Sequence, residues 1–180
     1  VKKANVYGTS RKKTTRGDEE RGTWCTPKWL AEAVGPFHLD PFSNPRSHIE
    51  SAYACMLERQ DDGLSGPMKG QYWTALHGSR FTDDQTRVFL QPPYSVVTRA
   101  FEHYHHTRWV ALLRFDPSTK WFRAMYREAA LICVPRKRVN FEPPPGVKAS
   151  SNTIPHALYY RHAEDVTDAV LRACIAWRPR

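Results

Sequence analysis

Two stretches of this chain put polar groups where a strand would hand them to a ligand: LDPFSNPRS (39–47) and LQPPYS (90–95). The second suits one kind of chemistry well. A primary amine on a nucleobase is a weak nucleophile because its lone pair is delocalised into the ring. A side-chain carbonyl oxygen, paired with a main-chain carbonyl, can hydrogen-bond both amine hydrogens and favour a more nucleophilic nitrogen, and Gln91 offers such an oxygen. Pro92 and Pro93 fix φ and forgo two backbone donors, so the acceptors need little reorganisation during reaction. Tyr94 supplies a ring able to stack on a base extruded from a duplex. The competing reading is a rigid loop with Tyr94 packed on the core. For Asp40, too, two readings stay open: a carboxylate that accepts hydrogen bonds from an amine or from ribose hydroxyls, or a cap of the turn that follows.

Such groups need a scaffold, and in α/β sheets ligands bind at the carboxyl ends of strands. Thr26-Pro27 reads as a helix start, a hydroxyl N-cap followed by proline at the first helical position. Trp29, Leu30 and Ala33 give that helix its apolar face, and Gly35-Pro36 ends it. Residues 37–39 form a short strand running into Asp40-Pro41. Residues 48–58 have helical composition, and a small helix is expected around Tyr72 to Leu76. Strand 88–90 delivers Gln91, and a helix follows over 97–106. WVALLRF (109–115) is a buried strand, 118–130 a helix and 131–134 a strand. Strands over 138–141 and 157–160 and a closing helix over 165–177 complete the chain. Strands alternating with helices predict an α/β fold with a mostly parallel, crossover-connected sheet.

A chain of 180 residues with 41% hydrophobic and 12% aromatic content can bury a substantial core. Residues 1–22 are polar and lack apolar periodicity, which predicts a flexible basic arm ahead of a single domain over 23–180. The net charge is +9. Residues 1–21 carry seven Lys/Arg and three acids, so +4 belongs to the arm and +5 to the folded part. That excess suggests a polyanionic partner, nucleic acid first. The run Arg136-Lys137-Arg138, with Pro135 before it suggesting a loop edge, is either a phosphate grip or a solvated face. Apolar runs are too short for a membrane span and no signal peptide is expected, so the chain reads as cytoplasmic. Cys25, Cys55, Cys133 and Cys174 form no CxxC pair and read as free thiols. His103, His105 and His106 read as a solvated helix face, and no metal site is expected.

The order WCTPKWL … FHLDPFSNPRS … DGL … FLQPPYS … ALLRFDPSTKWF … RVNF resembles the phage-type DNA N6-adenine methyltransferases, the phage Dam family, over about residues 22–162. The resemblance implies a compact Rossmann-like fold with helices on both sheet faces and S-adenosylmethionine as methyl donor. The implied acceptor is the exocyclic N6 of adenine in double-stranded DNA. It implies phage or prophage origin, hence the cytoplasm of a bacterial host. Gln91, Pro92, Pro93 and Tyr94 would then be the catalytic tetrad, with glutamine where the family has asparagine or aspartate. Trp24, Thr26 and Pro27 would close over the methionine end of the cofactor, and Asp40, Pro41 and Phe42 would meet it. Asp62, with Asp61 as a rival, would hold the ribose hydroxyls. Ser118, Thr119, Trp121 and Phe122 resemble a segment near the target-base pocket. Two alternatives stand beside this reading: a catalytically degenerate DNA-binding module, or an enzyme whose acceptor is cytosine N4, RNA or a protein glutamine. Nothing in the sequence speaks to the recognition site or to the oligomeric state.

Overall fold

In the computed structural model residues 24–56, 83–149 and 153–179 are described. The expected arm, the small helix near Tyr72 and Asp61 and Asp62 lie outside them. The chain enters through helix α1 (Lys28–Val34), which buries Leu30, Ala31, Ala33 and Val34 while Trp29 stays exposed. The buried stripe is therefore shifted from the one the sequence suggested. Gly35 closes the helix with φ 78, a conformation that favours glycine, and turns the chain into strand β1 (Phe37–Ser43). Strands β2 (Ser51–Met56) and β3 (Arg87–Leu90) follow. Next come helix α2 (Val97–Tyr104), strand β4 (Arg108–Arg114), helix α3 (Lys120–Glu128) and strand β5 (Leu131–Pro135). Strand β6 (His156–Tyr160), helix α4 (Asp168–Ala173) and strand β7 (Cys174–Trp177) complete the order.

The strands form one seven-stranded sheet in the order β2-β1-β3-β4-β6-β5-β7. The pairs β1–β2, β1–β3 and β3–β4 are parallel, whereas β4–β6, β5–β6 and β5–β7 are antiparallel. The sheet is thus mixed, with the two kinds of pairing equal in number, where a mostly parallel one was expected. The difference arises because no helix lies between β5 and β6 in the described segments, and β6 turns back between β4 and β5. Five strands, β1 to β5, still point the same way, so their carboxyl ends share one edge. His156, at the start of antiparallel β6 and opposite Arg114, shares it too.

Side chains alternate along the strands and split the core in two. Phe37, Phe89, Val110, Leu112, Leu158 and Tyr160 pack with α1 and α4 on one face. Leu39, Val88, Leu90, Trp109, Leu113 and Tyr159 pack with α2 and α3 on the other. At ~25 cal/mol per Å² of apolar surface removed from water, these two layers are the main source of stability. Arg87, on β3, ties the α1 face together. Its guanidinium donates to the Pro36, Val34 and Asp165 carbonyls at 2.7, 2.8 and 3.1 Å and lies over the Phe37 ring. Arg108 grips the Asp165 carboxylate with Nη2 at 2.5 Å and Nε at 3.2 Å.

Three sequence expectations are corrected. Residues 51–56 form strand β2 instead of a helix: Ala52, Ala54 and Met56 favour helix locally, but parallel pairing with β1 decides. The expected strand over 138–141 is irregular, and the only β-bridge nearby among the described residues is that between Cys25 and Glu142, just beyond it. The closing helix divides into a short turn (Ala163–Asp165), α4 and β7, because Cys174–Trp177 pair with β5. No helix among the described residues is long and apolar enough to cross a membrane.

Candidate active site

The shared carboxyl edge gathers most of the residues singled out in the sequence. Strand β3 ends at Leu90 and releases Gln91, half-buried, into Pro92 (buried) and Pro93 (exposed); Tyr94 opens a short 3₁₀ turn that leads into α2. Phe89 faces α1 and Leu90 faces α2. The alternation sends Gln91 to the α1 side, where the segment preceding that helix lies. There the Thr26 hydroxyl, 3% exposed, donates to the Gln91 Oε1 at 2.5 Å. Thr26 is not the helix cap the sequence suggested. Pro27 holds the N-cap position, and its carbonyl accepts from the Leu30 and Ala31 N–H groups, which leaves the threonine side chain free for Gln91. Trp24, half-buried, precedes Cys25, whose N–H and C=O both pair with Glu142 at 2.9 Å.

Tyr94 is 42% exposed, so its ring is available to a ligand and is not the core residue of the competing reading. Its hydroxyl accepts from the Arg114 N–H at 3.2 Å and lies 3.4 Å from His156 Nε2. The Arg114 guanidinium sits 4.4 Å from the ring centroid, a cation–π contact on one face. The Trp121 ring stands 6.2 Å away at a tilt of 38°. His156 is 6% exposed, and burial pushes its pKa down to about 4, so the imidazole is neutral. With the Ile154 carbonyl 3.1 Å from Nδ1, the single ring proton sits on Nδ1 and is donated to that carbonyl, leaving Nε2 as an acceptor for the Tyr94 hydroxyl. Neither Arg114 nor His156 was singled out in the sequence. Arg114 ends a buried apolar strand, and a charge at such a strand end was the available signal; His156 belongs to no pattern.

On β1, Asp40, Pro41 and Phe42 are all buried, and the pairing with β2 shifts register between Asp40 and Ser43. The strand continues to Ser43 and does not stop before Asp40. The Asp40 carboxylate, 3% exposed, accepts from the Phe42 N–H at 3.3 Å and from the Ser47 hydroxyl at 3.5 Å, with the Ser43 hydroxyl also beside it. These local donors are the turn-capping pattern, but they are long and uncharged. Desolvation outweighs them and pushes the pKa up to about 7. Leu39 lies opposite Val88, so Asp40 and Gln91 stand on neighbouring strands toward the same edge.

The other predicted residues are more scattered. The Ser118 hydroxyl donates to Asp116 at 2.5 Å in the turn ahead of α3, and Thr119 caps that helix through the Phe122 N–H. Phe122 is core, packed edge-on against Tyr159. Arg136, Lys137 and Arg138 are exposed just beyond β5, on the shared edge, and Arg138 donates to the Thr153 carbonyl at 2.6 Å.

The family model described as DNA N-6-adenine-methyltransferase (Dam) matches residues 13–159. The chain belongs to this family. No curated protein and no solved structure gives a match. As a Dam-family protein it is a DNA adenine-N6 methyltransferase, and S-adenosylmethionine as the methyl donor follows from the family. The match spans β1, β3, β4 and β5 and so takes in the edge just described, Gln91 included.

Proposed function

We propose that this Dam-family protein methylates adenine in double-stranded DNA at the Gln91–Tyr94 corner of its sheet. The observation that carries the reading is the delivery of an amide oxygen and an exposed aromatic ring by one rigid strand exit, Gln91-Pro92-Pro93-Tyr94, at the carboxyl edge. Gln91 Oε1 and the Pro92 carbonyl accept the two N6 hydrogens and orient the nitrogen lone pair. Tyr94 stacks on the extruded adenine with its free face, the other being covered by Arg114. Trp121 borders the same space. Arg136, Lys137 and Arg138 meet the DNA backbone, a sequence-independent contribution that weakens as salt rises. Ser118, whose hydroxyl is engaged by Asp116 in the turn before α3, would reach the DNA only from that turn.

The residues present fit the cofactor. A buried carboxylate whose donors among the described residues are all neutral is well suited to a cationic neighbour, and S-adenosylmethionine carries an ammonium and a sulfonium. Asp40 would hold the positive end, with Pro41 and Phe42 next to it on β1, and Trp24 is a further proposed cofactor contact. Asp62 remains the proposed ribose acid. When bound, the cofactor supplies an electrophilic methyl group for the oriented nitrogen. The fold reads as a Rossmann-like methyltransferase domain over residues 23–180, its parallel half β2-β1-β3-β4 carrying the site and the antiparallel half extending it. Phage or prophage origin is part of the same reading.

The test is transfer of a tritiated methyl group to unmethylated DNA, followed by mass spectrometry of the digested nucleosides. N6-methyladenine is expected, with Gln91→Ala and Tyr94→Ala both impaired. Full activity in Gln91→Ala, or label found only in cytosine, would refute the assignment.

A further inference from the structure

Gln91 is one methylene longer than the asparagine or aspartate of the family tetrad, and misplacement of a reacting group by about an ångström costs ~10²-fold in rate. The structure shows where that extra length goes. The Gln91 Oε1 receives the Thr26 hydroxyl at 2.5 Å, across 65 residues of sequence, and Thr26 is itself 3% exposed. Thr26 is in turn fixed on both sides. Cys25 is paired through its backbone with Glu142, and the Pro27 carbonyl anchors the first turn of α1. We infer that Thr26 is a positioning residue for catalysis: its hydroxyl takes one lone pair of the Gln91 oxygen and leaves the other, at a fixed orientation, for the N6 amine of adenine.

This inference rests on the catalytic reading of Gln91 and goes beyond it. It assigns Thr26 to the amide instead of to the cofactor, and it makes the glutamine and the threonine a matched pair. An asparagine at position 91 ends about 1.5 Å short, one carbon–carbon bond, and leaves the hydroxyl beyond hydrogen-bond reach. A free glutamine, conversely, has an additional rotatable bond and holds its oxygen in no single place. A carbonyl oxygen accepts two hydrogen bonds, so the tether and the substrate do not compete.

Four variants test the pair in single-turnover methyl transfer, with the dissociation constant of S-adenosylmethionine measured alongside. Thr26→Val, which keeps the shape and removes the donor, is expected to lower the transfer rate by ~10²-fold with cofactor affinity within about twofold of wild type. Thr26→Ser is expected to restore the rate to within about threefold. Gln91→Asn is expected to fall by a similar ~10²-fold, and Thr26→Val in the Gln91→Asn background to cost nothing more, since the link is already broken. A wild-type rate in Thr26→Val overturns the inference, as does a loss that follows cofactor affinity in step. A wild-type or faster rate in Gln91→Asn also overturns it, and this arm stands even where Thr26→Val fails to fold. Gln91→Ala separates the two levels: if it is inactive while Thr26→Val is normal, only the tether is wrong, whereas a fully active Gln91→Ala removes the catalytic reading itself.

Discussion

Replacing Asp40 by asparagine isolates the energetic cost of keeping a carboxylate in the sheet without a cation. The side chain is 3% exposed and its pKa is pushed from 3.8 up to about 7, chiefly by desolvation. A raised folded-state pKa means that this group's contribution to stability is complete below pH 3.8 and is lost as the pH rises through 7. At ~1.36 kcal/mol per pH unit, the loss between pH 5 and pH 8 is about 2–3 kcal/mol. Asparagine has nothing to ionise and keeps an oxygen for the Phe42 N–H and the Ser47 hydroxyl. His156 works in the opposite sense. Its pKa is pushed from 6.5 down to about 4, so its contribution is complete above pH 6.5 and is lost as the pH falls toward 4. From pH 5 to pH 8 it adds roughly 2 kcal/mol, which nearly cancels Asp40 in the wild type. The informative quantity is therefore the difference between Asp40→Asn and wild type, measured by urea titration at pH 5, 6, 7 and 8 without cofactor. It should grow in favour of the variant by about 2–3 kcal/mol across that range, or about 5–10 °C in Tm. Under the proposed cofactor role the same variant binds S-adenosylmethionine weakly. A difference curve flat within about 0.5 kcal/mol, or one falling with pH, would show that Asp40 is not a buried, poorly compensated carboxylate.

Tyr94→Phe keeps the ring and removes the hydroxyl that meets the Arg114 N–H and His156. Its kcat/KM should stay within about tenfold of wild type, while Tyr94→Ala, which loses the stack, falls by ~10–10²-fold; equal losses in the two would place the role in the hydroxyl. Asp165→Ala strips the two-pronged contact from Arg108 and leaves that guanidinium near Arg87, so a loss of roughly 2 kcal/mol in urea unfolding is expected. A change below about 0.5 kcal/mol would show that solvent already supports Arg108, whose side chain is 29% exposed.

The strand exit of the proposed site was legible because its signals are local. Val88, Phe89 and Leu90 are apolar and bounded by a double proline that no central strand tolerates. The same holds for the buried run of β4, whereas Asp40-Pro41 misled, because β1 runs through both to Ser43. What the sequence hid depended on partners far away in the chain. β2 reads as a helix until β1 is beside it. Cys174–Trp177 continue the pattern of α4 until β5 claims their backbone. Thr26 has the composition of a helix cap, and only the fold shows its hydroxyl turned to Gln91. Arg114 and His156 are single residues whose meaning comes from the antiparallel register of β4 and β6. Propensity and punctuation carry the first kind of information; tertiary pairing carries the second.

The pairing of Cys25 with Glu142 joins points 117 residues apart by two backbone bonds. Glu142 adds side-chain contacts, accepting from the Lys28 N–H at 3.3 Å and meeting His48 Nε2 at 2.7 Å, while Arg46 reaches the Pro143 carbonyl at 2.9 Å. The entry segment and the root of the loop beyond Glu142 are thus riveted to each other and to the turn after β1. A polypeptide trimmed to begin at Lys28 would keep every helix and strand of the sheet yet lose this rivet and the Thr26 hydroxyl at one stroke. Under the proposed tether, a chain beginning at Lys28 is expected to lose methyl transfer along with these contacts.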